Sequence, residues 1–487
     1  MSRKILWYSG VLMAMAVFAG SAWAKDAVAR PELPELRSTL QDQKQVAVTI
    51  YNDDLALVRD LRRVKLPKGE SLLDLREVSG GMMPETALLK DPAGGKTFRV
   101  IEQSFDFDLL TPDKLLEKYV GKTVQVVRVH PQTGAESREE AVVLAANGGV
   151  VLRMGDRIET GVPGRLVYPE VPENLRDRPT WVVQLASDRA GERDLELSYL
   201  TTGMGWRADY VAELNAAEDR LDLSGWVTLT NRSGTVYRNA RLQLVAGDVH
   251  RASAPKTLDK FEVREMMAMP EAPRMAEEAL LDYHLYTLDR STTIKENQVK
   301  QVALLTATAV PAVKEYVLRG NEYYYRSRSG SLGDKLKAAV FLEFANREKS
   351  GLGLPLPKGI MRVYKQDSSG NPQFVGEDRI DHTAKNEKVR LRLGDAFDVT
   401  AEKKQTDFKK LAGGEKETLI ESTYRIELKN AKDKPVTVKV EEPMPGDWQI
   451  VQESRPHAKE DARTAVWRIE VPAEGKADLT YRVRVRY

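Results

Sequence analysis

Asp106 and Asp108 stand two residues apart within Phe98 to Leu110, a stretch whose alternation reads as a strand. Residues i and i+2 of a strand share one face about 7 Å apart. That separation suits the carboxylate pair of an inverting glycosidase. The same alternation also reads more simply, with Phe105 and Phe107 toward a core and the acids toward water. Asp248 and His250 repeat the spacing at the end of another strand-like run and could share a ligand. Because His130, His284, His382 and His457 are scattered without ligand spacing, no zinc site is read. Met266, Met267, Met269 and Met275 fall within one short segment. Soft thioethers favour Cu(I), and the same side chains make an adaptable apolar patch. Tyr323-Tyr324-Tyr325-Arg326-Ser327-Arg328 is the densest aromatic and basic cluster. Rings beside guanidinium groups can hold sugars or a polyanion, whereas a strand with alternate tyrosines buried needs no ligand.

Other motifs fail on spacing. Gly95-Lys96-Thr97 and Gly121-Lys122-Thr123 lack the earlier glycine of a phosphate-cradling loop. Gly330-Ser331-Leu332-Gly333 does not have the form of a nucleophile elbow. Gly351-Leu352-Gly353 runs into prolines rather than a helix. No catalytic residue and no cofactor site is assigned.

The elements that would position these residues are strands. Gln45 to Tyr51 alternates, and Leu55 to Leu66 continues with Leu57, Leu61, Val64 and Leu66 before a turn at Pro67-Lys68-Gly69, which reads as a hairpin. Thr111-Pro112-Asp113 begins a short helix, with proline at a first helical position and an acid at the positive end. Short strands with turns every eight to twelve residues then predict a small barrel-like continuation. Pro163, Pro169, Pro172 and Pro179 mark a boundary. Further strand candidates follow, Trp181 to Leu185 through Ala240 to Ala246 and again from Tyr283, reading as β-sandwich. The fold class is therefore all-β. A polar linker is expected over residues 25–44, an N-terminal β domain over 45–170 and a sandwich-like domain over 180–487. A mobile, methionine- and proline-containing insertion is expected at 251–279. The final stretch alternates strictly, with Tyr481, Val483, Val485 and Tyr487 on one side and Arg482, Arg484 and Arg486 on the other.

Residues 1–24 carry the pattern of an export signal. Arg3 and Lys4 precede an apolar run from Ile5 to Phe18, and Ala22-Trp23-Ala24 precedes Lys25, which places cleavage between Ala24 and Lys25. The run is short for a membrane span of about 20 residues, so no transmembrane segment is expected in the mature chain. The sequence contains no cysteine. An exported chain of this composition has neither a disulfide framework nor a lipid-attachment thiol. Its formal net charge of +2 falls to zero when Arg3 and Lys4 leave, since 2 − 2 = 0. Long-range steering to nucleic acid is thereby disfavoured.

The segments Leu197 to Tyr210 (LSYLTTGMGWRADY), Gly351 to Gly359 (GLGLPLPKG), Val375-Gly376-Glu377-Asp378 and Leu393 to Val399 (LGDAFDV) resemble the domain of unknown function 4139 family. The resemblance covers roughly residues 180 to 487, and residues 45 to 110 are similar to the N-terminal partner domain often found with it. Proteins of this kind include ones labelled mucoidy inhibitor-like. The resemblance implies an exported, β-rich envelope protein without an assigned activity, and it carries over no catalytic residue. The function expected is non-catalytic binding of another envelope protein or a polysaccharide, in the periplasm or another extracytoplasmic space. The alternatives are an envelope-glycan hydrolase and a periplasmic Cu(I)-binding protein using the methionine cluster.

Overall fold

The computed structural model describes residues 33–487 except 53, 96, 173–174, 248, 250–274 and 412–417. Among the described residues the architecture is all-β, with four sheets and one α-helix, Pro112–Lys118. Thr111 caps that helix by accepting the backbone N–H of Lys114, as the Thr-Pro-Asp start requires. No helix among the described residues is long and apolar enough to cross a membrane.

Two sheets form the first sandwich. One orders Glu35–Ser38, Gly69–Arg76, Thr180–Ser187 and Phe98–Asp106; the other centres on Tyr237–Ala246, Gln43–Tyr51, Leu55–Leu66 and Gly191–Thr201. Trp181, Leu73 and Leu75 meet Val48, Ile50, Val58 and Tyr199 in one core, which continues into Trp206, Tyr210, Leu223 and Met361 of the thirteen-stranded sheet. Strands from before and after the proline-rich stretch therefore hydrogen-bond directly. Gly191–Thr201 pairs with Leu55–Leu66, and Thr180–Ser187 pairs with Gly69–Arg76.

Several local expectations change. Four residues of the expected linker, Glu35–Ser38, form a strand parallel to Gly69–Arg76. The hairpin joins Gln43–Tyr51 to Leu55–Leu66, while Pro67-Lys68 carries the chain to the other sheet. The inward side of Leu55–Leu66 is Ala56, Val58, Asp60, Arg62, Val64 and Leu66; Leu57 and Leu61 lie on the opposite, half-buried side. The region expected to be barrel-like is an open five-stranded sheet over Thr123–Val167, whose end strands do not pair with each other. It has its own core of Leu116, Tyr119, Val124, Val126, Val143 and Leu152. Of the expected insertion 251–279, residues 251–274 lie outside the described residues. Met275–Leu280 is a strand paired with Tyr283–Leu288, which corrects the last part of that expectation.

Three long strands, Gln298–Arg319, Ser331–Ala345 and Lys388–Leu411, contribute to two cores at once. Val302, Leu305 and Val310, with Leu342, Phe344, Val389 and Leu391, belong to the first core. Tyr316, Leu318, Ala338, Val399 and Ala401 belong to the second, with Tyr424, Trp467, Tyr481 and Val485. The alternation of Tyr481, Val483 and Val485 inward is as the sequence implies, and Arg484 on the other side meets Glu421 at 2.8 Å. The backbone therefore passes from one core to the other between Ala312 and Tyr316, between Ala338 and Leu342, and between Leu391 and Ala396.

Candidate functional site

A cleft of about 200 Å³ lies at that transition. The long strands supply Lys314, Val340, Leu342 and the Leu393-Gly394-Asp395 segment; Leu214, Glu218, Lys365 and Val375 close it. Lys314 is in phase with buried Ala312 and Tyr316, and Lys365 with buried Met361 and Val363. Period-two alternation aims both ammonium groups inward at the point where the apolar rows end. Glu218 comes from the turn between Met204–Leu214 and Arg220–Asn231. There the Asn215 side chain accepts the backbone N–H groups of Asp219 and Arg220. Glu218 has φ of 62°, a left-handed conformation uncommon outside glycine.

Lys314 and Lys365 both donate to Glu218, at 2.6 Å and 2.5 Å to its two oxygens. Partial burial opposes ionisation of Glu218, but the hydrogen bonds and charges of the two lysines outweigh it and hold the carboxyl at about 2. Burial likewise pulls Lys314 down, and Glu218 overcomes it, so Lys314 is raised. Asp395 is paired with Arg392 at 2.8 Å. The cleft thus has aliphatic walls and two cations facing one carboxylate.

A second charged cluster is fully enclosed. Lys403 and Glu442, each 1 % exposed in the side chain, pair at 2.6 Å. Tyr325 donates to Glu442 at 2.7 Å and its hydroxyl lies 3.0 Å from that of Tyr481. The Lys403 ammonium stands 4.5 Å from the ring centre of Tyr324 and 5.3 Å from that of Tyr424. Burial pushes the lysine down and the hydroxyls of Tyr325 and Tyr481 well up. Gly320 is obligatory here, because a Cβ would run into the Glu442 carboxylate.

The residues singled out by sequence fare differently. Glu322–Tyr325 is a 3₁₀ turn, not a strand, so Tyr324 and Tyr325 are both buried while Tyr323 faces solvent. Tyr324 and Tyr325 of the cluster face the enclosed lysine. The strand Phe98–Asp106 ends before Asp108, so the two acids do not share a strand face. Asp106 is held by Arg176 at 2.9 Å, and Asp108 by Lys118 at 3.0 Å. The hydrogen bond from Lys118 lowers Asp108 below the usual carboxylate range. Phe105 and Phe107 stack at 5.8 Å, with Phe107 64 % exposed rather than in the core. Met275 is buried in the first core; Met266, Met267, Met269, Asp248, His250, Ala24 and Lys25 lie outside the described residues. Among the described residues, no three His, Cys, Asp or Glu side chains gather as a metal site.

Sequence reasoning missed Lys314, Lys365, Lys403, Glu442 and the pair Asp60 and Arg62. Arg62 is fully buried, donating to Asp60 at 2.9 Å and to the Ser38 carbonyl at 3.1 Å. The available signal was phase: Lys403 alternates with Val399 and Ala401, and Glu442 with Val438 and Val440.

The segments that carry the family resemblance are structural joints. In LSYLTTGMGWRADY, the Tyr199 hydroxyl accepts the Ser79 N–H, and Gly203, at φ of 83°, leaves no room for a Cβ beside the Arg232 carbonyl 2.7 Å away. Tyr210 donates to the Pro357 carbonyl at 2.8 Å, and Tyr286 to that of Pro355 at 2.9 Å, fastening the GLGLPLPKG loop to the first core. Asn346 closes the same loop by donating to the Leu354 carbonyl at 2.7 Å and accepting the Gly353 N–H at 2.9 Å. Gly376 packs against the Leu393 carbonyl, and Asp378 accepts the Arg392 N–H at 2.7 Å. Two of the segments thereby meet at the cleft through Val375 and Leu393. The sequence profile of one family, described as Domain of unknown function (DUF4139), matches residues 195–487. No curated protein matches the chain.

Proposed function

The chain belongs to the DUF4139 family, and from that premise we propose that it is an exported, non-catalytic binding protein of the cell envelope that recognises another envelope protein or a polysaccharide. The observation that carries this reading is the fixed charge of the cleft. A general acid or base works best with a pKa near the working pH. Glu218, held at about 2, and Lys314, raised, keep their charges across that range. Groups of fixed charge are suited to orienting a ligand rather than to passing protons to it. The signal-like pattern ending at Ala24 and the resemblance to mucoidy inhibitor-like proteins support the envelope.

The hydrolase alternative draws no support from Asp106 and Asp108, whose carboxylates are spent on separate cations. The Cu(I) alternative loses Met275 to the core.

Two measurements test the proposal. Fractionated cells should yield an extracytoplasmic protein whose first residue is Lys25; a cytoplasmic full-length chain refutes export. A photo-crosslinking residue at Val375, on the rim of the cleft, should capture the same partner in intact cells across growth conditions. Capture of none, or of a different set each time, refutes the binding role.

A further inference from the structure

The cleft at the junction of the two cores has properties that narrow its ligand. Its volume of about 200 Å³ is below the roughly 300–1,000 Å³ of drug-sized ligand pockets. It seats a group about the size of one amino-acid residue. Its walls, Leu214, Val340, Leu342, Val375 and Leu393, are aliphatic. They offer no aromatic face for a sugar ring to stack on. Aliphatic walls favour an aliphatic group.

Charge at the same place selects the other end of the ligand. Lys314 and Lys365 face Glu218 alone, because Asp395 is neutralised by Arg392. One positive charge is left over. An ammonium has three N–H donors. Lys365 spends one on Glu218; Lys314 spends one there and a second on Tyr316, whose ring centre is 5.2 Å away, and keeps the third. Donors therefore remain at both lysines for a second carboxylate, beside the aliphatic walls. The built turn at Asn215, with Glu218 in a left-handed conformation, and the packing of Gly376 on Leu393 hold these groups in place without a ligand.

We propose that this cleft binds the carboxylate of an aliphatic acid of one-residue size, with the carboxylate on Lys314 and Lys365 and the alkyl group among Leu214, Val340, Val375 and Leu393. The chemistry has two sources, a free branched-chain acid or the C-terminal residue of an extended polypeptide, as in other proteins that capture a terminal carboxylate. The inference rests on the binding role proposed above: a polypeptide terminus deepens its protein partner, and a free acid replaces that partner with a small molecule.

The test is calorimetric titration of the purified full chain with three probes: isovalerate, an N-acetylated tripeptide ending in Leu as the free acid, and the same tripeptide as its C-terminal amide. Saturable binding of an acid is expected at up to about 10 mM, a weak affinity in keeping with so small a contact. It should fall at least about tenfold in Lys365→Gln and be abolished in Val375→Trp, which fills the cleft. Both side chains are partly exposed, and unchanged thermal melting shows that the variants fold. A tripeptide acid tighter than isovalerate assigns the site to a polypeptide terminus; equal affinities assign it to the free acid. Amide binding equal to acid binding, binding indifferent to Lys365→Gln, or no saturation by either acid overturns the proposal. Partner capture at Val375 with no acid binding leaves the binding role standing and removes only this ligand.

Discussion

Lys403 is the most telling single residue. An ammonium moved out of water costs several kcal/mol unless a partner and hydrogen bonds replace its hydration, and Glu442 with the surrounding tyrosine faces does so here. Removing one member leaves the other charge stranded, so Lys403→Met should destabilise the protein by about 3–5 kcal/mol, measured by urea unfolding. Lys403→Met combined with Glu442→Leu should recover most of that loss. Equal or greater loss in the double variant would mean that the pair itself, not the stranded charge, sets the cost.

Glu218 makes a pH-dependent contribution. Its carboxyl sits at about 2 in the fold against an ordinary 4.5, so its stabilisation is fully present above pH 4.5 and is lost as pH falls toward 2. Solvent screening at this half-exposed site reduces the effect to about 1–2 kcal/mol. Glu218→Gln should cost that much at pH 7 in chemical denaturation and nothing near pH 2. A constant difference across that window would contradict the ion-pair account.

At the scale of elements, strand phase decided what sequence could tell. Strand existence was legible, as in Gln45 to Tyr51, Ala208 to Leu214 and the closing Leu479 to Tyr487, because apolar alternation marks a half-buried strand without further context. Phase was not legible where charges occupy the inward row. In Leu55–Leu66 the inward set includes Asp60 and Arg62, and the apolar residues that mark the strand, Leu57, Leu61, Val64 and Leu66, divide between its two sides. The cleft was hidden for the same reason. Lys314 and Lys365 look like solvent-facing lysines until the rows of Ala312 and Tyr316, and of Met361 and Val363, are followed to their ends. Glu218 had no local signal, since its place depends on two strands far away in sequence. The glycine-rich loop was visible as a loop, but its rigidity was not.

That rigidity is open to measurement. Gly353 has φ of 93°, and a Cβ there would lie 2.7 Å from the Glu348 nitrogen. Gly353→Ala combines strain with a close contact and should cost at least about 1–3 kcal/mol, seen as a lowered urea midpoint. Gly370 is also left-handed, at φ of 82°, but its Cβ position is open. Gly370→Ala should therefore cost less, and equal losses at both sites would refute the packing argument.

At the scale of the molecule, the matched family region and the packed unit do not coincide. The profile begins at residue 195, partway along Gly191–Thr201, whose partner Leu55–Leu66 comes from before it. A chain beginning at residue 195 would leave Tyr199, Trp206 and Tyr210 without Val48, Ile50, Val58 and Trp181. Exposed apolar area of that extent drives association. Such a chain is expected to aggregate or to lack a cooperative melt, whereas residues 33–487 together melt cooperatively. A soluble, cooperatively folded 195–487 would show that the first core closes without its N-terminal strands.

The three strands that serve both cores also limit what a genome can do with this gene. Neither core can be deleted, duplicated or exchanged alone, because each cut would sever the same three strands. Residues 107–179 are different. They leave the body after Asp106 and return at Thr180, which are paired neighbours on adjacent strands. An in-frame loss or replacement there closes over a ready-made turn site. Variation in length among inherited forms should therefore concentrate in 107–179, while the parts that encode the two cores, on either side of it, are kept together.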